Sequence, residues 1–444
     1  MNNVRDFGAA GDGIHKDTAA IQKAIDAGGT VYFPPGTYLT GSLYLRSFGG
    51  LELAAGAVLR GSPDPEDYNA DDFIPQNETC PSEHVSGAHL IIAVEQENIF
   101  IRGFGRIDGA REAFMNRERK CDRMHFEFPE WRPAQMVYFC ECRNISLSGC
   151  EYWNAPYWTI LLHGCVHADI RGLSIWNDRR TLNGDGLDID CCQDVCVDGC
   201  RIDTGDDCIT LRGNEYPLKV KRPCERVTIS NCILRTRCNA VRIGVGNGLI
   251  RNCLFSNIIC HDTRTAICIV SSYSEGKSVE ISDIGFSNLQ IRAGRVFSIR
   301  TWLLGPRPDS SGKPIRNISF NQIRGACDHG SYIAGNSGCP VRNISFHDVR
   351  LEFSGGGHLD EVSEWRDMMP VEFEPSAFHV ENAQGTVFTH TAVEWLPGHS
   401  SGWKYGLALK NAPGTRVSDC NFGKPLSGAE KIVFSTITEP KEHI

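Results

Sequence analysis

The chain has 444 residues, of which 41% are apolar, and 54 acidic side chains against 45 basic ones leave a net charge of −9. That balance, with no stripe of lysine and arginine, argues against a nucleic-acid partner, although cationic side chains gathered in a cleft can still receive an acidic polysaccharide. No apolar stretch approaches the roughly 18 residues a membrane span requires, so no membrane partner is expected.

The start, Met1-Asn2-Asn3-Val4-Arg5-Asp6-Phe7, has neither a basic nor an apolar leader region, from which a cytoplasmic location is expected. From residue 98 onward, short β-branched or alternating runs recur: Asn98–Arg102, Asn144–Ser148, His167–Arg171, Val195–Asp198 and Arg226–Ser230. The series goes on through Val279–Ser282, Asn317–Phe320 and Asn343–Phe346. Runs this short, returning about every 25 to 35 residues between Gly, Asn and Asp, suit a solenoid whose coils bury their inward side chains against the next coil. The expected fold is all-β: a single-domain right-handed parallel β-helix, a solenoid spanning residues 1–444. Asn144, Asn317 and Asn343 stand just before their strands, as a turn repeated at one corner of successive coils requires. A propeller or a sandwich also makes many short strands, but no blade-length signature of a propeller is present.

Residues 1–60 read as an amino-terminal cap with the first coils, and 353–444 as carboxy-terminal coils and tail. Residues 110–132, with Arg111, Arg117, Glu118, Arg119, Lys120 and Trp131, break the strand rhythm and read as a long inserted loop. Such a loop closing one end of a cleft would favour trimming of chain ends. The 20 cysteines include Cys150, Cys165, Cys200, Cys208, Cys232 and Cys253 at strand or turn positions, where a thiol behaves as a small apolar residue stacked between coils. Only Cys140-Glu141-Cys142, Cys191-Cys192 and Cys196-x3-Cys200 come close together, without paired CxxC knuckles, so a zinc cluster is not expected. No cofactor is implied.

Chemistry concentrates in two strings, Asn183-Gly184-Asp185-Gly186-Leu187-Asp188-Ile189-Asp190 and Thr204-Gly205-Asp206-Asp207-Cys208-Ile209-Thr210-Leu211. If Leu187 and Ile189 point inward on one coil and Ile209 and Leu211 take the same places on the next, Asp185 falls beside Asp207, and Asp206 beside Gly184. Adjacent acids on an ideal strand face opposite sides, so Asp206 and Asp207 must occupy a bend, which Gly205 would permit. Three gathered carboxyls repel one another, and at least one should have a raised pKa. Glycosidic cleavage uses such an asymmetry: one carboxylic acid protonates the leaving oxygen while a carboxylate activates water or attacks the sugar. A protonated Asp206 beside ionised Asp185 and Asp207 makes an inverting set. Two other readings stand beside it: a calcium site on Asn183, Asp185, Asp188 and Asp190, which lacks the EF-hand spacing, and solvated turn acids without a function.

The two strings resemble the signature of the polygalacturonase family of glycoside hydrolases, family 28. The resemblance extends to Val4–Ala9 with Gly11-Asp12-Gly13, Asp17–Ile25, Val31–Tyr38, Gly105–Gly109 and Arg132-Pro133, and covers about residues 3 to 300. It implies an inverting hydrolase with Asp206 as general acid and Asp185 and Asp207 as the water-activating pair.

The sequence departs from the family at two further motifs. Cys238-Asn239-Ala240 stands where the family has Gly-His-Gly, and Cys268-Ile269-Val270 where it has Arg-x-Lys, a pair associated in the family with gripping a galacturonate carboxylate. Pairing Val241/Ile243, Ile267/Ile269 and Phe297/Ile299 as successive inward sets puts Arg242 beside Cys268 and Arg300 beside Val270, both on the cleft side. Substrate-side candidates are therefore Asn183, Asn239, Arg242, Arg300 and His163; Tyr157, Trp158, Trp176 and Trp302 are candidate sugar platforms. The expected substrate is a pectin-derived or related plant oligosaccharide or polysaccharide, which need not be homogalacturonan. A calcium-dependent polysaccharide lyase and a non-catalytic carbohydrate-binding β-helix are the alternatives.

Overall fold

The computed structural model describes all residues except 70–82, 121–126, 275–276, 303–311, 355–374, 399–401, 426–429 and 436–444. The chain divides into two compact units, Met1–Cys238 and Asn239–Ile444.

In the first unit, strands from successive turns of the chain pair in parallel as the coils of a β-helix. Along one face, Ala93, Phe139, Leu162, Ile189 and Leu211 share a register; along a second, Ile99, Ile145, Ala168, Val195 and Val227 do. A third face aligns Leu59, Ile107, Tyr152, Ile175, Ile202 and Leu234. Every one of these side chains is buried. Alternation puts the intervening residues outward, so a two-residue apolar rhythm on each short run is sufficient to build the interior. The helix Thr18–Asp26 packs Ile21, Ala24 and Ile25 inward near the amino terminus, and the buried Asp17 carboxylate accepts from the backbone N–H groups of Ala10 and Gly11.

The second unit is built the same way from Asn239–Gly246, Leu249–Val270, Glu280–Arg300, Ile315–His329 and Val341–Phe353. Its interior holds a column of stacked rings, Phe255, Phe286, Phe320, Phe346 and Phe388, with neighbouring centroids 4.6, 5.1, 5.0 and 4.9 Å apart. Strands Ser376–Glu381 and Tyr405–Lys410 continue the coils into the carboxy-terminal region; 355–374 and the tail from 436 lie outside the described residues.

The repeated corner is confirmed in both units. Asn98 and Asn144 in the first, and Asn317 and Asn343 in the second, all have φ between 54° and 57°. Asparagine visits this left-handed region because its short polar side chain finds local partners. Here the partners are other corners: the Asn343 amide donates to Asn317 Oδ1 (3.1 Å), and the Asn317 amide to Asp283 Oδ1 (2.8 Å). Replacing Asn317 with alanine keeps the strained φ and removes both links, so denaturant unfolding should show a loss of about 1–2 kcal/mol.

Two strands stand within the inserted segment, where a loop was expected. Met115–Lys120 and Glu127–Pro129 form an antiparallel hairpin against the otherwise parallel coils, after a short 3-10 turn at Arg111–Ala113. The side chains of Arg119 and Lys120 lie outside the described residues.

Candidate active site

The register places the acids as expected. Leu187 pairs with Ile209 and Ile189 with Leu211, the Gly186 N–H donates to the Asp207 carbonyl (2.9 Å), and the Asp206 N–H reaches the Gly184 carbonyl at 3.5 Å. Asp185, Asp206 and Asp207 therefore stand together at one corner of two adjacent coils. The backbone bends at Gly205 and Asp206, and the Asp206 carbonyl accepts from the hydroxyls of Thr204 (2.7 Å) and Thr236. Gly205 serves this bend through space: a Cβ there would lie 2.6 Å from the Thr181 carbonyl oxygen.

The loop that leads into Asp185 is clamped by two fully buried arginines. Arg111 donates to Glu127 Oε2 (2.8 Å) and to the Thr181 hydroxyl, while Arg180 reaches the other Glu127 oxygen at 3.1 Å and pairs with Asp178. That pairing holds the Asp178 carboxyl down to about 2. Arg132 donates to the carbonyls of Leu182 (2.6 Å), Pro156 (2.9 Å) and Glu83 (2.7 Å), with Asn183 Oδ1 at 3.4 Å. Asn183, itself at φ 53°, is thereby part of the scaffold of the loop.

Asp185 is 3% exposed and Asp207 8%, whereas Asp206 is half-buried. Burial first, and then repulsion from Asp188, Asp206 and Asp207, push the Asp185 pKa well above the usual aspartate range, with Arg212 pulling it back. Burial is the largest cause of this upward pressure, as expected for the most deeply buried member of the trio. Three carboxyls this close titrate as a group.

Sequence reading missed the group that balances them. Arg212 lies in register with Asp190; its Nε donates to Asp188 Oδ1 (2.7 Å), its Nη2 to Asp185 Oδ2 (3.3 Å), and its guanidinium sits 4.0 Å from the centre of the Trp158 ring. Burial pushes Asp188 up to about 7 even with this partner. Of the oxygen set weighed for calcium, Asp185 and Asp188 are thus bound by an internal cation, and Asp190 accepts the Asn214 N–H (2.7 Å). Cys238 was missed too: its sulfur and carboxylate oxygens of Asp206 and Asp207 all lie within 4.8 Å of one another.

Residues 76–224, which carry both aspartate strings and all of these arginines, match Glycosyl hydrolases family 28, and residues 1–114 match Rhamnogalacturonase A/epimerase, pectate lyase-like. The part of the chain similar to family 28 contains Asp185, Asp206 and Asp207. A probable polygalacturonase of Vitis vinifera is 25% identical over 293 residues, covering 62% of this chain and 58% of that protein. The chain thus spans little more than half the length of this relative. A polygalacturonase of Arabidopsis thaliana is 22% identical over 72% of this chain and 77% of its own length. Among solved structures, the family 28 exopolygalacturonase of Yersinia enterocolitica superposes with a TM-score of 0.70 at 20% identity, covering 96% of this chain and 79% of that one, and shares the right-handed parallel β-helix.

The other candidates divide by position. His163 sits in register with Asp190, not Asp185, and its Nε2–H donates to the Asn214 carbonyl (2.9 Å), which makes it a support of that turn. Tyr157 is buried and stacks on Trp158 at 5.1 Å, Trp302 is buried, and Trp176 is 42% exposed against Trp153. In the second unit, Arg242 pairs in register with Cys268 and Arg300 with Val270, as expected, but both arginines are buried. Arg242 donates to the Cys268 sulfur (3.1 Å), Arg264 to Asn239 Oδ1 (3.3 Å), and Arg295 stacks 4.5 Å over the Tyr332 ring. Burial, with the nearby charges of Arg295 and Arg242, pushes Arg300 down to about 10.

Proposed function

We propose that this chain hydrolyses glycosidic bonds in pectin-derived or related plant oligosaccharides, with inversion. Asp206 protonates the leaving oxygen, and Asp185 and Asp207 hold and deprotonate the attacking water. One observation carries the reading: the Leu187–Ile209 register, which puts all three carboxyls at one corner while Arg212 compensates the deeper pair. The test is a screen of pectic and neutral plant oligosaccharides for new reducing ends, with anomeric proton spectra of the first product. Release of an unsaturated, ultraviolet-absorbing product in place of a reducing sugar would favour the lyase, and binding without turnover the carbohydrate-binding protein.

A carboxylate-bearing sugar is favoured by the second unit, where Arg242, Arg264, Arg295 and Arg300 concentrate positive charge although the Arg-x-Lys string is absent. A planar guanidinium meets a carboxylate with two parallel hydrogen bonds. Arg300→Met should raise KM for oligogalacturonates by roughly 10–100-fold, the equivalent of one charge-assisted hydrogen bond. The KM for a neutral oligosaccharide should stay put, and steady-state kinetics on both reads the difference. Cleavage from chain ends is supported by the hairpin Met115–Pro129, which is tied through Arg111 and Glu127 to the loop preceding Asp185. A cytoplasmic setting is supported by the buried thiols along the coils, which pack as small apolar groups.

A further inference from the structure

We infer that Arg212 is a positioning residue for hydrolysis: its guanidinium, held between the Trp158 ring and two carboxylates, fixes Asp185 in place and opposes its protonation. The inference rests on the hydrolytic reading of the aspartate trio.

Asp185 faces Asp188 on its own strand, Asp206 and Asp207 on the neighbouring turn, the Tyr157 hydroxyl, and Arg212, which is the only cation among the leading influences on it. Arg212 in turn faces Asp185, Asp188 and Asp190, the last with His163 3.9 Å away. A carboxylate that must accept a proton from water is useless while protonated, and burial among other acids favours its protonation. A single buried guanidinium opposes this, and its planar fork bridges Asp188 and Asp185 at once through two different nitrogens.

The guanidinium is itself fixed from behind. Trp158 lies under Arg212, Tyr157 stacks on Trp158, and Arg132 lies 4.6 Å from the centre of the Tyr157 ring. Two cations therefore flank a pair of stacked rings in a column of four side chains. Arg132, at its far end, holds the Leu182 carbonyl and Asn183, immediately ahead of Asp185. One column thus holds the Asp185 carboxylate through Arg212 and the loop two to three residues ahead of it through Arg132, with cation–ring contacts strengthened by desolvation.

The test is the pH profile of kcat/KM for the full chain and for Arg212→Gln and Arg212→Lys. Arg212→Gln should move the acidic limb upward by about 1–3 pH units, the effect of losing an adjacent opposite charge, and Arg212→Lys by less. A uniform fall at every pH with the limb unmoved would overturn the inference, since a merely structural role predicts that pattern. Carboxyl carbon NMR of aspartate-labelled protein without substrate, with the Asp185 signal identified by Asp185→Asn, should show the same upward shift in Arg212→Gln. This readout needs no turnover, so an unshifted Asp185 overturns the role of Arg212, whereas a shifted one in a protein that cleaves nothing overturns only the hydrolytic reading. If Arg212→Gln does not fold, Trp158→Leu, which takes away the supporting ring, should move the Asp185 titration in the same direction, and an unchanged titration would sink the inference.

Discussion

Asp206→Asn should lower kcat on any oligosaccharide the protein cleaves by about 10²–10⁴-fold, with KM little changed. The amide nearly matches the carboxyl in size and can accept the same hydrogen bonds, but it has no proton to give a leaving oxygen. Folding should not suffer, because Asp206 is half-buried and its place is set by backbone contacts: its carbonyl is held by Thr204 and Thr236, and its N–H faces Gly184. Substitution also relieves the crowding around Asp185, so the variant should be at least as stable as the parent in chemical denaturation. Full activity in Asp206→Asn would remove it from the reaction.

Arg111→Met is expected to be the most destabilising polar substitution in the amino-terminal unit, costing about 3–5 kcal/mol by urea unfolding. The guanidinium is fully buried, and its partner Glu127 is 1% exposed. Removing the cation leaves the glutamate charge in a dry setting, facing the more exposed Arg180. Arg111→Met combined with Glu127→Gln should cost clearly less than Arg111→Met alone, because the lone charge disappears with its partner. Turnover should fall in the single variant even where it remains folded, since the hairpin and the loop preceding Asp185 are joined through these side chains and Thr181. An additive cycle would show that the two residues do not act as a pair.

What could be read from the chain follows from which forces act locally. The register of Leu187 on Ile209, and of Ile267 on Phe297, was legible because inward apolar residues alternate with a fixed phase and the coils repeat. Once that phase is set, the acids are placed by arithmetic. The corner asparagines were legible because few residue types tolerate a left-handed backbone.

Arg212 was not legible, since an outward arginine on a strand reads as solvated; the ring of Trp158, reached through a different coil, and the carboxylates of Asp185 and Asp188 on the neighbouring coil enclose it. Sequence shows that carboxyls repel, but not that Asp185 is the most deeply buried of the three. The hairpin Met115–Pro129 escaped because its strands do not alternate, and its anchoring residues, Arg111 and Glu127, find Thr181 and Arg180 only across the fold. His163 read as a substrate-side group because its coil was right, while its position along the strand, opposite Asp190, was wrong for it.

The ladder from Leu187 to Ile209 also sets what changes of length the gene can accept. A deletion or insertion of one residue between Asp190 and Asp206 would turn every inward side chain of that stretch outward and carry the acid to the opposite face, so the 22-residue step is fixed. The turn from Asn214 to Pro223 is under no such rule, because it lies after the paired strand Ile209–Gly213 and before Cys224 resumes pairing. Lineages of this chain should vary in length at that turn, and at the hairpin, while the step between the two aspartate strings stays constant.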